Sequence, residues 1–157
     1  MSAVSDEFFV DFVDEGWKYF RSLRALVYDV LYREFGVAED ADWHAPTSAE
    51  GPVVAAMHGF RLAGTARLVG GADHARLQLR QLAVRPEFRG LGVGRALVEA
   101  LEEHAREAGA SEVWLNARDN AYAFYERLGY EFTGPEFRSE LTGIKHRPMR
   151  KVLGGVV

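Results

Sequence analysis

Apolar and polar positions along this chain follow two periods, and the switches between them mark out its elements. Phe8, Phe9, Val10, Phe12 and Val13 form a short apolar run, so residues 7–13 predict a first strand, which Asp14-Glu15-Gly16 breaks. From residue 17 to residue 35 the spacing becomes helical: Phe20, Leu23, Arg24, Val27, Val30, Leu31, Glu34 and Phe35 share one face, and Gly36 stops the helix. Arg24 and Glu34 put two charges on that stripe. Buried charge is costly unless paired or used, so the two read as cleft-lining residues, as an internal ion pair, or as edge residues whose ends reach solvent.

Residues 37–51 are polar and irregular, long enough for a functional loop, with Trp43 set to wall a pocket or plug the core. Two strands, residues 52–58 and 61–69, follow around a Gly59-Phe60 turn. After Gly70-Gly71 comes a third, giving an antiparallel meander. In this third strand Leu77 and Leu79 have one parity and Leu82 and Val84 the other, so strict alternation fails at Arg80-Gln81. Either a β-bulge restores one apolar face and leaves backbone groups open to a ligand, or the strand is buried on both faces. Pro86 ends it.

From Val93 the helical period returns with Leu97, Ala100, Leu101, His104 and Ala108, closed by Gly109. Residues 112–117 then form a strand parallel to the third through this crossover helix. Asp119 or Asn120 can cap a short helix carrying Ala121, Phe124, Tyr125 and Leu128 on one face. Strands at residues 130–132 and 144–153, separated by a looped excursion, complete an α/β (α+β) domain with a mixed, mostly antiparallel sheet.

The candidate chemistry lies between the third strand and the helix after it. A helix start leaves backbone N–H groups without intrahelical partners at the positive end of the macrodipole, and Gly90, Gly92 and Gly94 let an anion sit close against the chain. The anion that fits best is a phosphate or pyrophosphate. No Gly-Lys-Ser/Thr follows, and the dinucleotide fingerprint needs glycine where Arg95 or Leu97 stands. What remains is Arg89-x-x-Gly92-x-Gly94; a glycine turn that binds nothing is the alternative for this segment alone.

Composition narrows the partners. The 157 residues, 48% hydrophobic and 27% charged, suit one domain spanning residues 1–157. A formal net charge of −4 and no basic run argue against a nucleic-acid surface. Without cysteine there is no disulfide, thiolate nucleophile or cysteine-based zinc site, and His44, His58, His74, His104 and His146 are too scattered to suggest a metal. No basic region precedes an apolar stretch and no segment approaches membrane-spanning length, so the expected location is cytoplasmic, away from membranes.

Leu82-Ala83-Val84-x-Pro86, Arg89-Gly90-Leu91-Gly92-Val93-Gly94 and Asn120-Ala121-Tyr122-Ala123-Phe124-Tyr125-Glu126-Arg127-Leu128-Gly129-Tyr130 together resemble the GNAT superfamily of acyl-CoA-dependent N-acetyltransferases. The tail from Gly134-Pro135-Glu136-Phe137 to Gly143-Ile144-Lys145-His146 and Met149 is similar to a bacterial branch whose members often end in Gly-Ile-Pro-His, with Lys145 in place of the proline.

The resemblance implies a three-layer fold, with helices on both faces of the sheet, and acetyl-CoA as co-substrate, with no metal. By position, the amides of Arg89, Gly90, Leu91, Gly92, Val93, Gly94 and Arg95 hold the pyrophosphate, and the backbone of Leu82, Ala83 and Val84 pairs with the pantetheine arm. Asn116, Asn120 and Phe124 line its far side, between two splayed parallel strands. Tyr125 corresponds to the general acid that protonates the departing thiolate; a phenol near pKa 10 stays protonated at neutral pH.

The amine acceptor needs a base. Glu34 and His146 are the candidates, beside a chain of waters, and a charge on an otherwise apolar face favours Glu34. The implied activity is direct acetyl transfer to a primary amine of a small molecule or peptide in a ternary complex, and the lack of cysteine agrees. The rival is a non-catalytic acyl-CoA-binding sensor or subunit, which needs the loop but not Tyr125. The family often forms homodimers, which leaves that assembly open here.

Overall fold

The computed structural model describes residues 2–5, 8–70 and 75–154. Glu7, Gly71 and His74, which figure in the expectations above, lie outside the described residues. Among the described residues nine strands form one sheet: β1 (Ser2–Ser5), β2 (Phe8–Val13), β3 (Val53–His58), β4 (Arg61–Val69), β5 (Arg76–Val84), β6 (Glu112–Arg118), β7 (Glu131–Phe132), β8 (Phe137–Arg138) and β9 (Lys145–Val152). Their order is β1-β2-β3-β4-β5-β6-β9-β7, with β8 paired to β9. Of these strands β5 and β6 pair in parallel and the other pairs are antiparallel, as the meander and the helical crossover require. The apolar patterns did not mark β1 or the two-residue β8.

Three α-helices among the described residues cover the sheet: α1 (Phe20–Leu31), α2 (Val93–Glu107) and α3 (Tyr122–Arg127). Alternation along β3 sends Val54 and Ala56 into a core with Leu97, Val98 and Leu101 of α2, and Val53 and Ala55 into a second core with Leu23, Leu26 and Val27 of α1. Helices therefore lie on both faces. Each fully buried leucine in these cores stabilises the fold by about 1.5–3 kcal/mol relative to exposure. No helix among the described residues is long and apolar enough to cross a membrane.

Three expectations need correction. The first helix spans Phe20–Leu31 rather than residues 17–35; Tyr32 leaves helical geometry at φ −129°, and Arg33–Phe35 form a separate 3-10 turn ended by Gly36. The buried stripe is consequently Phe20, Leu23, Leu26, Val27 and Tyr28, and both Arg24 and Glu34 are exposed. Arg24 reaches outward to Glu15, 3.8 Å away, and donates to the Pro46 carbonyl at 2.8 Å, so it forms no pair with Glu34.

Along α2 the buried face is rotated from the expected one: Val98, Glu102 and Ala105 are buried, whereas Ala108 is exposed. Glu102 tolerates this because it accepts from Tyr130 at 2.8 Å and Lys151 at 3.1 Å. Before α3, Asp119–Ala121 form a 3-10 turn, and no side chain caps the helix. Backbone tightening takes over the role expected of Asp119 or Asn120.

The parity break in β5 is a bulge. Thr65 pairs with Ala83 but Arg67 pairs with Arg80, so β5 carries an extra residue there, and Gln81 adopts φ +55°. The insertion returns Leu82 and Val84 to the same α2-facing core as Leu77 and Leu79, while Ala83 joins the α1 core.

Candidate active site

The site begins where β5 and β6 part. They pair from Arg76–Glu112 only as far as Gln78–Trp114, whereas β6 stays paired with β9 on its other side up to Arg118–His146. The ladder beyond Gln78 is therefore replaced by an opening. It widens into a cleft of about 1630 Å³ bounded by the bulged end of β5, the glycine loop, the end of β6, α3, the 3-10 turn after α1 and the β8–β9 hairpin.

The glycine loop forms one end of this cleft. After a 3-10 turn at Pro86–Phe88, Gly92 takes φ +81° as the residue that opens α2, a backbone state that side chains with a Cβ rarely adopt. Gly94 is needed for a different reason: a Cβ there would stand 3.3 Å from the Phe124 ring and 3.8 Å from Val84. Its absence lets the start of α2 pack closely on α3. The result is a helix N-terminus with free amide donors opening on the cleft.

Most of the residues singled out from sequence meet here. Leu82, Val84, Arg89, Gly90, Gly92, Val93, Gly94, Arg95, Asn116, Asn120, Phe124, Tyr125, Glu34 and His146 all line the cleft. Two do not. The Ala83 side chain is buried on the α1 side of the sheet, and Leu91 points outward with 52% exposure.

Tyr125 is held by α3, with its ring edge-on to Phe124 and Tyr130 at centroid distances of 5.0 and 5.6 Å. It is 6% exposed. Its hydroxyl has no hydrogen-bond partner among the described residues, yet no buried side-chain oxygen is left unsatisfied, so this oxygen opens on the cleft. Burial pushes its pKa upward, which keeps the proton on the phenol at neutral pH.

His146 lies on β9 opposite Arg118, its ring stacked on Phe137 at 5.6 Å and its Nδ1 2.9 Å from the Ile144 carbonyl. Burial lowers its pKa and outweighs the upward pull of the hydrogen bond to the Ile144 carbonyl; the Arg118 charge adds a smaller downward push and the Asp119 charge a smaller upward one. The ring is thus neutral at pH 7. A proton on Nδ1, donated to Ile144, leaves the Nε2 lone pair unprotonated. Glu34 stands on the 3-10 turn at the cleft rim rather than on a buried face, which removes the reason for preferring it over His146 as a base.

Two residues that sequence reasoning passed over shape the site. Arg67, on β4, is 1% exposed and donates to Gln81 at 3.0 Å, Glu50 at 3.2 Å and the His44 carbonyl at 2.9 Å. A charge amid Leu62-Ala63-Gly64-Thr65-Ala66 was its signal. Arg118, at the end of β6, donates to the Leu31 carbonyl at 2.6 Å and joins the cleft rim to α1. Its signal was weaker, one cation at the end of an apolar strand.

Comparisons with known proteins agree with this architecture. The family described as "Acetyltransferase (GNAT) domain" matches residues 31–153. The streptothricin acetyltransferase of Streptomyces lavendulae is 38% identical over 76 residues, 46% of this chain and 40% of that enzyme. An aminoglycoside 6'-N-acetyltransferase crystallised with coenzyme A superimposes with a TM-score of 0.73 at 17% identity, over 95% of this chain and 99% of that one. Escherichia coli ElaA does so with a TM-score of 0.75 at 18% identity, over 92% of this chain and 99% of that one. The chain spans 57%, 55% and 40% of the lengths of three curated relatives that it matches. With the glycine loop, the bulged strand and the parting of β5 from β6 inside the matched region, the chain belongs to the GNAT acetyltransferase family.

Proposed function

We propose that this protein is an N-acetyltransferase that moves an acetyl group from acetyl-CoA to a primary amine. The observation that carries the reading is the Tyr125 hydroxyl, unpartnered among the described residues and opening on a cleft that ends at a glycine-shaped helix N-terminus. A protein that only bound acyl-CoA would have use for the loop but not for a proton donor beside it. No group of acidic and histidine side chains suited to a metal occurs among the described residues, and none is invoked.

The residues fit the co-substrate by shape and charge. The amides from Gly90 to Arg95 would meet the pyrophosphate with the positive end of α2, and the missing Cβ of Gly94 lets that helix start pack against Phe124 and Val84. The edge of β5 from Leu82 to Val84, unpaired toward β6, offers backbone groups to the amide-bearing arm. Asn116, Asn120 and Phe124 face it from the β6 and α3 side. When bound, acetyl-CoA supplies the acyl group as a thioester.

His146 is the base we favour, because its neutral imidazole is oriented through Nδ1 and can take a proton from the acceptor's ammonium, freeing the amine lone pair that attacks the thioester. Glu34 is the second candidate. Tyr125 gives its proton to the sulfur as the carbon–sulfur bond breaks and the carbon–nitrogen bond forms, and recovers one from solvent afterwards. The test is a panel of amines incubated with acetyl-CoA, following free thiol and the mass of each amine. Acetylated product is expected for one class of amine; tight acetyl-CoA binding without product from any amine would favour a sensor.

A further inference from the structure

Arg118 stands on the rim of the cleft with its charge only partly answered. A guanidinium removed from water is costly unless an anion faces it, and burial pulls the Arg118 pKa below its ordinary value. Arg118 is half-buried; Arg67, which is fully buried, meets this cost through Glu50 at 3.2 Å. Arg118 has no carboxylate within ion-pair distance among the described residues. One of its five N–H donors caps the Leu31 carbonyl at the C-terminus of α1, where the helix dipole offsets part of the charge. Tyr32 and Phe35 present their rings at 5.8 and 5.3 Å. These neighbours fix where the guanidinium sits and leave the other donors for something in the cleft.

The second observation is Glu34. It lines the same cleft and forms no ion pair among the described residues, although it is near enough for its charge to act on Arg118. Two opposite charges that face a common space without closing on each other form a receptor for a molecule bearing both signs. We propose that Arg118 binds a carboxylate of the acceptor, so that the amine substrate is an amino acid or a similar zwitterion whose cationic end faces Glu34. The planar fork of an arginine matches a carboxylate through two parallel hydrogen bonds, which a lysine does not offer. The inference rests on the acetyltransferase reading above.

The test uses the full chain, acetyl-CoA and amino acids of increasing length between amine and carboxylate, each paired with its own carboxamide. The reading is the ratio of kcat/KM for the acid to that for the amide. In the best pair this ratio is expected to reach at least tenfold. It should fall to near one in Arg118→Met and to an intermediate value in Arg118→Lys, both checked for folding by circular dichroism. Acids and amides acetylated equally well, or a ratio that persists in Arg118→Met, would overturn the assignment and leave the acetyltransferase reading standing. Acetyl-CoA binding with no member of either series acetylated would overturn the assignment, and only the failure of the wider amine panel as well would overturn the acetyltransferase reading.

Discussion

Arg67 donates through Nε to the side-chain oxygen of Gln81 at 3.0 Å, so an arginine buried in β4 holds the bulged residue of β5 by its side chain. The same guanidinium bonds the carbonyl of His44, and Gln81 returns a hydrogen bond to that carbonyl at 3.0 Å. His44 and Gln81, at φ +58° and +55°, are the non-glycine residues with positive φ among those described. Each such conformation costs about 1–2 kcal/mol. One buried cation thus secures two strained backbone positions and ties the loop at residues 37–51 to the strand edge proposed to take the pantetheine arm.

Replacing Arg67 with methionine keeps an unbranched apolar stem but removes these bonds and leaves Gln81 and His44 under-satisfied. The expected loss of stability is on the order of 3 kcal/mol, read as a lower urea midpoint with an unchanged slope. Acetyl-CoA affinity should fall several-fold as well, because the bulge loosens. A variant with the wild-type midpoint would mean that the bulge holds without the arginine.

The bulge shows how far the sequence could be read. The parity mismatch between Leu77/Leu79 and Leu82/Val84 announced it, because a one-residue slip changes which face a side chain takes. The glycine loop was equally legible, since Gly92 and Gly94 answer local demands of backbone angle and close approach. Glu34 was misplaced because the helix stops at Leu31, where Tyr32 turns in to pack on Trp43 at 5.2 Å, a contact set by distant residues. The parting of β5 from β6 depends on how far each strand pairs with partners remote in sequence, with β9 alongside β6, and no local pattern encodes that.

Gly92→Val tests the glycine loop. A β-branched residue at φ +81° is strained and crowds the amides, so CoA affinity should fall at least about tenfold, or roughly 1.4 kcal/mol. Gly94→Val should act similarly by meeting Phe124. Calorimetry with folded variants that bind CoA as the wild type does would show that the loop plays no part in holding it.

The two candidate bases separate by pH. His146 is held below the ordinary imidazole value, chiefly by burial, so it is unprotonated at pH 7 and kcat should decline only as pH falls below about 6.5 toward the folded-state pKa. His146→Gln is expected to lose kcat and that acidic limb together, whereas Glu34→Gln should retain the limb. The opposite pattern would assign the role to Glu34; two unaltered profiles would leave it to water.

The central claim is that this cleft transfers an acetyl group with Tyr125 as the acid, and amine-dependent thiol release by wild type and Tyr125→Phe tests it most directly. The hydroxyl bonds nothing among the described residues, so its removal should change stability by less than about 1 kcal/mol and leave acetyl-CoA affinity near normal. Turnover should nevertheless fall about 10²-fold or more. Equal thiol release by the two proteins, with the same acetylated amine formed, would contradict the account.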